Sequence, residues 1–363
     1  MSFNQSLTAS IVFIGTLMSG NLQASPTYTW QSLMKLTTAF PDRVAGTDEE
    51  FQTANWLIKE LAKSGYTVQE QPFKFNYPIS KSKNEIRSSR NLQVTIPGKT
   101  NQTLIIGAHY DAVPSVNGSS GFVDNASGVS VLLTLAKNLK NKSHDFTIKL
   151  VFFGAEEVGL QGAKYYANHI KDLKNIAGMI NLDTTIGGDI LYIHSAHSKP
   201  YQCDHIKSSK YSNSPLLRDK LLSISDENQP LLQQRFEKHP ATKDYPEGET
   251  GSWSDHAPFA CLGVPVAYIE ATNFTINGES GYDGYSQTVH KDFWNCFDSK
   301  NKTACQRDNE QKWGKIWHTE YDQASFLVEQ KGEELQHQLT SQVDLLTKFI
   351  LDTKVDLNSA KQK

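Results

Sequence analysis

The sequence predicts an α/β fold: three layers, α/β/α, around a mixed, mostly parallel central sheet, in a single domain. Three observations predict it. Apolar strands alternate with amphipathic helices through the middle of the chain, the pattern of a parallel sheet covered by helices on both faces. Several of those strands stop on polar residues, at the sheet edge where α/β folds place their sites. With 363 residues and no linker after the N-terminus, one large domain accommodates every element.

The N-terminus stands apart. "LTASIVFIGTLMSG", Leu7 to Gly20, is apolar and uncharged, and "NLQASP" follows it. The run is too short to cross a bilayer comfortably, and small Ala24 marks a cleavage point, so residues 1–24 read as a secretory signal peptide. One feature departs from that pattern: the first basic side chain is Lys35. The alternative is a buried N-terminal helix. Export implies a periplasmic or secreted protein, with no membrane anchor after cleavage.

The mature chain, from about Ser25, then reads in order. "GTDEEFQTANWLIKELAKSGY" is a helix capped by Thr47, with Glu50 in capping-box position. Phe51, Ala54, Leu57, Ile58 and Leu61 form its buried stripe. "TVQEQPFKF" and "NLQVTIPG" are strands joined by a polar loop, "NYPISKSKNEIRSSR". "TLIIGAHYD" contains a short buried strand, and "NASGVSVLLTLAKNLK" a helix opening at Asp124 or Asn125. Strand "FTIKLVFFGA", helix "LQGAKYYANHI" and strand "IAGMINLD" follow. "GVPVAYIEA" is a late strand, Gly278 to Trp317 an irregular insertion, and a long amphipathic helix begins near Asp322.

Composition bounds the partners. Hydrophobic residues are 38% and charged residues 21% of the chain, enough for a globular core. A net charge of −3, with no basic run, gives no reason to expect nucleic-acid binding. Four cysteines in an exported chain permit disulfides. Cys296 and Cys305 are the expected pair, while Cys261 reads as a small core residue. No C-x-x-C occurs, which argues against a thiolate zinc site.

The strand ends carry the chemistry. "LIIGA" ends on His109 and Asp111, "LVFFGA" on Glu156 and Glu157, and "MINL" on Asp183. Asp124 at the next helix start can join them. Each alone has a plain structural reading: a hydrogen-bonded rim histidine, a helix cap, a loop carboxylate. Together they form a cluster too acidic to persist without a cation, of residue types suited to Zn²⁺. Two such ions would hold the carboxylates ionised.

"GAHYDAV", "GFVDNASGVSVLLTLAKNL", "FFGAEEVGLQGAKYYA", "INLD", "WSDHAPFACLGVPVAYIE" and "WHTEYD" occur in that order. From about Asn91 to the C-terminal helix, the chain resembles the co-catalytic zinc aminopeptidases. That family includes bacterial leucyl aminopeptidases, glutamate carboxypeptidase and glutaminyl cyclases. The resemblance implies a phosphorylase/hydrolase-like fold, two Zn²⁺ ions, and hydrolysis at a peptide or protein N-terminus. It implies that His109 and Asp183 hold one zinc, that Glu157 and His318 hold the other, and that Asp124 bridges both. Asp111 would orient His109, and Glu156 would be the general base. The order of the two glutamates rests on the resemblance, because spacing does not separate neighbours. Asp255 reads as a supporting carboxylate behind the ligands, and His256 as a non-ligand despite its "SDH" context. Tyr245 would hydrogen-bond the developing oxyanion or be a loop tyrosine. His194, His197 and His290 lie in polar stretches and read as solvated.

"YPEGETGSWSDHAPF" and "VAYIEATNFTINGESGYDGYSQ" resemble most a branch of the family that removes N-terminal arginine. A basic side chain at the cleaved residue, P1, is then implied, with Glu270, Glu279 and Asp283 as acidic candidates and Glu270 the best placed. The alternatives are glutaminyl cyclisation, a dipeptidase or carboxypeptidase on the same fold, and a binding module. The full ligand set argues against the last.

Overall fold

The structure, a computed structural model, describes residues 26–80, 83–207, 210–228 and 232–353. The signal-peptide expectation for residues 1–24 lies outside the described residues. Helix α1 (Pro26–Ala39) was not anticipated; it lays Leu33 and Leu36 into the core. Helix α2 (Asp48–Lys63) starts where expected, with the Thr47 hydroxyl accepting from the Glu50 N–H. Its stripe is shifted from the expected one: Phe51 is 37% exposed, its ring beneath the Arg90 guanidinium. Glu50 and Thr53 are buried instead.

The expected polar loop is a ladder. Strands β1 (Gln69–Ser80) and β2 (Lys83–Ile96) pair from Gln69↔Gln93 out to Ser80↔Lys83. The outer half is solvated and shows no apolar alternation, but cross-strand backbone bonds satisfy it, and Arg87 stacks over Tyr77. After β3 (Thr103–His109), helix α3 opens at Ser127, running to Leu139, rather than at Asp124 or Asn125. Phe122–Ala126 form a π-turn in which Asp124 and Asn125 leave helical geometry, and the peptide between them is cis. Asp124 is therefore not a helix cap.

The next elements follow the expected alternation: β4 (Thr147–Phe153), α4 (Gln161–Asn168), β5 (Ile176–Leu182) and β6 (Ile190–Ala196). Helix α5 (Leu216–Glu227), also unanticipated, precedes short β7 (Phe236–Glu237) and β8 (Glu249–Thr250). Then come α6 (Ala257–Cys261), β9 (Val266–Thr272), the hairpin β10 (Phe297–Asp298) and β11 (Thr303–Ala304), and α7 (Ala324–Asp352).

The main sheet runs β1-β2-β4-β3-β5-β9-β6-β7, with β8 on β6. Its centre, β4-β3-β5-β9, is all parallel. Antiparallel pairs β1–β2, β2–β4 and β6–β9 flank it, so the sheet is mixed. Alternate residues feed two cores. Leu104, Ile106, Leu150 and Phe152 join α1, α2, α3, α5 and α7, while Ile105, Val151 and Phe153 join α4 and α6. That is the three-layer arrangement. Among the described residues no helix is long and apolar enough to cross a membrane.

Cys296 and Cys305 are bonded as expected. Cys203 and Cys261 are bonded too, which corrects the reading of Cys261 as a plain core residue. It is 3% exposed and cross-linked at once. A separation of 58 residues left no local trace of the pair.

Candidate metal centre

Chain order reverses at β3, which has β4 on one side and β5 on the other. Ligands of open α/β sheets gather at such switch points, beyond the carboxyl ends of the strands. Register aligns those ends: His109 lies opposite Phe153, Gly107 opposite Asn181, and Leu182 opposite Ile269. His109, Glu156, Glu157 and Asp183 therefore leave the sheet at one level. The turn before α3 brings Asp124 to them, and the segment before α7 brings His318.

The side chains meet in two groups that share Asp124. His109 Nε2 lies 3.1 Å from Asp124 Oδ1, 3.3 Å from Asp183 Oδ1 and 3.9 Å from Glu156 Oε2. His318 Nε2 lies 3.0 Å from Asp124 Oδ2 and 3.1 Å from Glu157 Oε2. A tetrahedral Zn²⁺ with ligands at about 2.0–2.1 Å separates neighbouring donor atoms by roughly 3.3 Å. Each imidazole with its two nearest carboxylates fits that spacing. Glu157 Oε1 is buried without a hydrogen bond, leaving a lone pair free for a cation. Glu157 bonds His318 and also comes within ligand reach of His109 and Asp124, while Glu156 groups with His109 and Asp183.

The electrostatics match the geometry. Burial pulls the His318 imidazole down, but its bonds to Asp124 and Glu157 outweigh this and push it up to about 11. Burial raises Asp124, yet His109 and His318 draw it below its ordinary value. Burial, with Asp124 adding, carries Glu157 up to about 7. Burial pushes Glu156 well above the usual carboxylate range, His109 opposing and Glu157 adding. A cation taking the imidazole lone pairs would displace protons and hold the carboxylates ionised.

The turn carrying the glutamates is held by buried carboxylates. Asp111 accepts from the Glu156 N–H at 2.9 Å and the Glu157 N–H at 3.1 Å, and Glu50 from the Ala155 N–H at 3.2 Å. Towards His109, Asp111 offers its backbone oxygen at 3.2 Å from Nδ1 and its carboxylate at 3.6 Å. Asp111 thus orients the glutamate turn at least as directly as the imidazole. Gly154 lets that turn pass: a Cβ there would collide with Ser89 Oγ, Glu50 Oε1 and Tyr110 Oη. Ala155, Thr184 and His318 all have positive φ. A non-glycine residue takes that geometry at a cost of about 1–2 kcal/mol, and such strain gathers at functional sites.

The other expected residues separate clearly. Asp255 is fully buried with both carboxylate oxygens unbonded, and burial, with Asp183, Asp111 and Glu157 adding against His109, pushes it well up. Its neighbour Ser254 donates to Asp183 Oδ2 at 2.6 Å, a support the sequence did not single out. His256 donates to Gly251 O at 2.8 Å and stacks on Tyr268; burial holds it neutral, down to about 4, and it is no part of the cluster. His194 corrects an expectation: it is fully buried, because β6 lies inside the sheet. His197 and His290 are half-buried.

A cavity of about 490 Å³ opens over the cluster. Asp124, Glu156, Glu157, Asp183 and His318 line it, as do Glu270, Trp253, Phe274 and Tyr285. Glu270 is 9% exposed. Tyr268 donates to its Oε2 at 3.2 Å, and His194 Nε2 touches Oε1 at 2.7 Å, off a hydrogen-bonding line. Burial, with Arg218 adding, brings the His194 imidazole down to about 3. Burial carries Glu270 up to about 7, His239 and Tyr268 opposing. Asp283 also lines the cavity, whereas Glu279 is paired outside with Lys315. Tyr245 does not line it; its ring packs against Trp253 and His197.

The sequence model of peptidase family M28 matches residues 91–340. The alkaline phosphatase isozyme conversion protein of Escherichia coli (strain K12) is 29% identical over 277 residues, spanning 70% of this chain and 74% of that protein. BSAP, a zinc aminopeptidase from Bacillus subtilis, superposes with a TM-score of 0.61 at 16% identity, over 92% of this chain and 97% of that one. Glutaminyl cyclase of Porphyromonas gingivalis gives 0.60 at 20% identity, over 91% and 99%. At those identities the two solved structures are alike in fold.

Proposed function

The chain belongs to peptidase family M28 and so is a peptide-bond hydrolase; on that premise we propose that it is an exported, zinc-dependent aminopeptidase holding two ions. One observation carries the reading: two imidazoles, each beside two carboxylates, share Asp124, which lines one cavity. His109 and Asp183 would hold one ion, His318 and Glu157 the other, and Asp124 both. Bound zinc supplies Lewis acidity and acidified water to this site.

The chain's own residues do the rest. Glu156 stands apart from the His318 group, takes a proton from the attacking water at its carboxylate, and returns it to the leaving amine. The substrate's α-ammonium is drawn to the acidic end of the cavity, which favours the terminal bond. P1 then points towards Glu270, whose carboxylate, in a cavity also lined by Trp253 and Phe274, suits a basic side chain. Two disulfides support folding in an oxidising compartment. No nucleic-acid partner is proposed.

The test is zinc stoichiometry of the purified protein, together with turnover of arginyl, leucyl and alanyl p-nitroanilides. Two bound zinc ions with an arginyl preference are expected. A clear leucyl preference would remove the role given to Glu270, and no turnover of any of the three would remove the aminopeptidase reading. The likeness in fold to a glutaminyl cyclase motivates one more arm. A Gln-initiated peptide should release free Gln; loss of ammonia with the peptide intact would favour cyclisation.

A further inference from the structure

Asp322 is fully buried, and the reaction described above makes no use of it. Its carboxylate faces the turn that carries Asp124. Oδ1 accepts from the Val123 N–H at 2.6 Å, and Oδ2 from the Asp124 N–H at 3.4 Å and the Ser119 hydroxyl at 3.3 Å. Its backbone carbonyl accepts from the Ser120 N–H at 2.8 Å. From the other side Arg43, also fully buried, donates to Tyr110 O at 2.8 Å, and to Ser120 O and Gly121 O at 2.7 Å each. The turn is thus gripped by an acceptor on its N–H groups and a donor on its carbonyls.

Asp322 also closes the segment that begins at His318. Its N–H donates to Thr319 O at 3.1 Å, and the Thr319 N–H to Ile316 O at 3.2 Å. His318 itself has φ of 61°, a conformation non-glycine residues keep only where their surroundings impose it. One buried side chain therefore joins the turn of the shared carboxylate to the turn of the second histidine.

We propose that Asp322 is a positioning residue that locks the His318 turn to the Asp124 turn, and so sets the ion site made by His318, Asp124 and Glu157. The proposal rests on the di-zinc reading above. Outer partners of metal ligands are worth about 10–100-fold in metal affinity.

The test titrates zinc into the metal-free full chain against a chromogenic chelator. Wild type and Asp322→Asn are compared, each with and without His318→Ala. Asp322→Asn is expected to loosen the His318 ion by about 10-fold or more, and the His109 ion, which depends on that grip through Asp124 alone, by less. On the His318→Ala background, where the His109 ion remains, the same change should alter affinity by less than about 3-fold. Excess zinc should return the kcat of Asp322→Asn towards wild type, a rescue that mere loss of structure would not give. Equal loosening of both ions, or the same effect with and without His318, overturns the proposal. If Asp322→Asn does not fold, Ser119→Ala removes the hydroxyl donor to Oδ2 and the acceptor of the Gly121 N–H while leaving the Asp322 carboxylate in place, and should give a smaller shift of the same pattern. A wild type that takes up fewer than two ions overturns the di-zinc reading and this proposal with it. Two ions in wild type with no shift in either variant overturns this proposal alone.

Discussion

Glu156 and Glu157 are neighbours in sequence and separate only in space. Glu157 meets His318 at 3.1 Å, while Glu156 is 3.9 Å from His109. Glu156→Gln keeps the shape and loses the proton acceptor. It should retain its zinc and lose about 10²–10⁴-fold in kcat, read by metal analysis beside steady-state kinetics; near-normal turnover would move the base elsewhere. Glu270 gives a pH signature. Its carboxyl is raised from 4.5 to about 7, so it is neutral below that pH and anionic above it. The sign follows: attraction for a cationic P1 side chain grows as pH rises through about 7. The arginyl-to-leucyl ratio of kcat/KM should therefore climb between about pH 6 and pH 8 and stay flat in Glu270→Gln. A ratio that falls over that window would contradict the assignment. The linked stability term runs the other way: burying neutral Glu270 favours the fold below the ordinary glutamate range, and that contribution is lost as pH rises through about 7.

At the scale of elements, the buried strands were legible because apolar runs of strand length ending on polar residues are a local signal. The β1–β2 hairpin was not, because its outer half is satisfied by cross-strand bonds and buries little. Helices α1 and α5 are not legible because their buried stripes hold few apolar residues, and packing of α1 against α3 and α7, and of α5 against α7 and the sheet, supplies the rest. The Cys203–Cys261 link has an element-scale consequence. It ties the chain beyond β6 to α6, next to Ser254 and Asp183. Closing a loop of 58 residues restricts the unfolded chain, so replacing both cysteines by serine should lower unfolding free energy by about 2–4 kcal/mol. Urea titration measures it. The Cys296–Cys305 pair, closing 9 residues, should contribute less.

Across the whole molecule, a metal centre at this cluster should make stability depend on metal. Stripping the ions should leave Asp124, Glu157 and Asp183 to repel one another in a buried setting. Scanning calorimetry should show a lower Tm after chelation and recovery on adding zinc, since a ligand bound only by the native state stabilises it. An unmoved Tm would mean the cluster is not a metal centre. Periodicity and strand termination are local properties of a chain, so the residues alone predicted the fold class and the strand ends that carry His109, Glu156, Glu157 and Asp183, whereas His318 came from the family resemblance. The folded structure brings Glu157 against His318 and Asp183 against His109, as the resemblance implied. It alone showed that Asp111 and Glu50 hold the glutamate turn, and that Arg43 and Asp322 grip the turn of Asp124. Those contacts join residues as distant as Val123 and Asp322, 199 positions apart. Sequence spacing carries no record of such a pair; the folded core brings its members together by burying their donors and acceptors away from water.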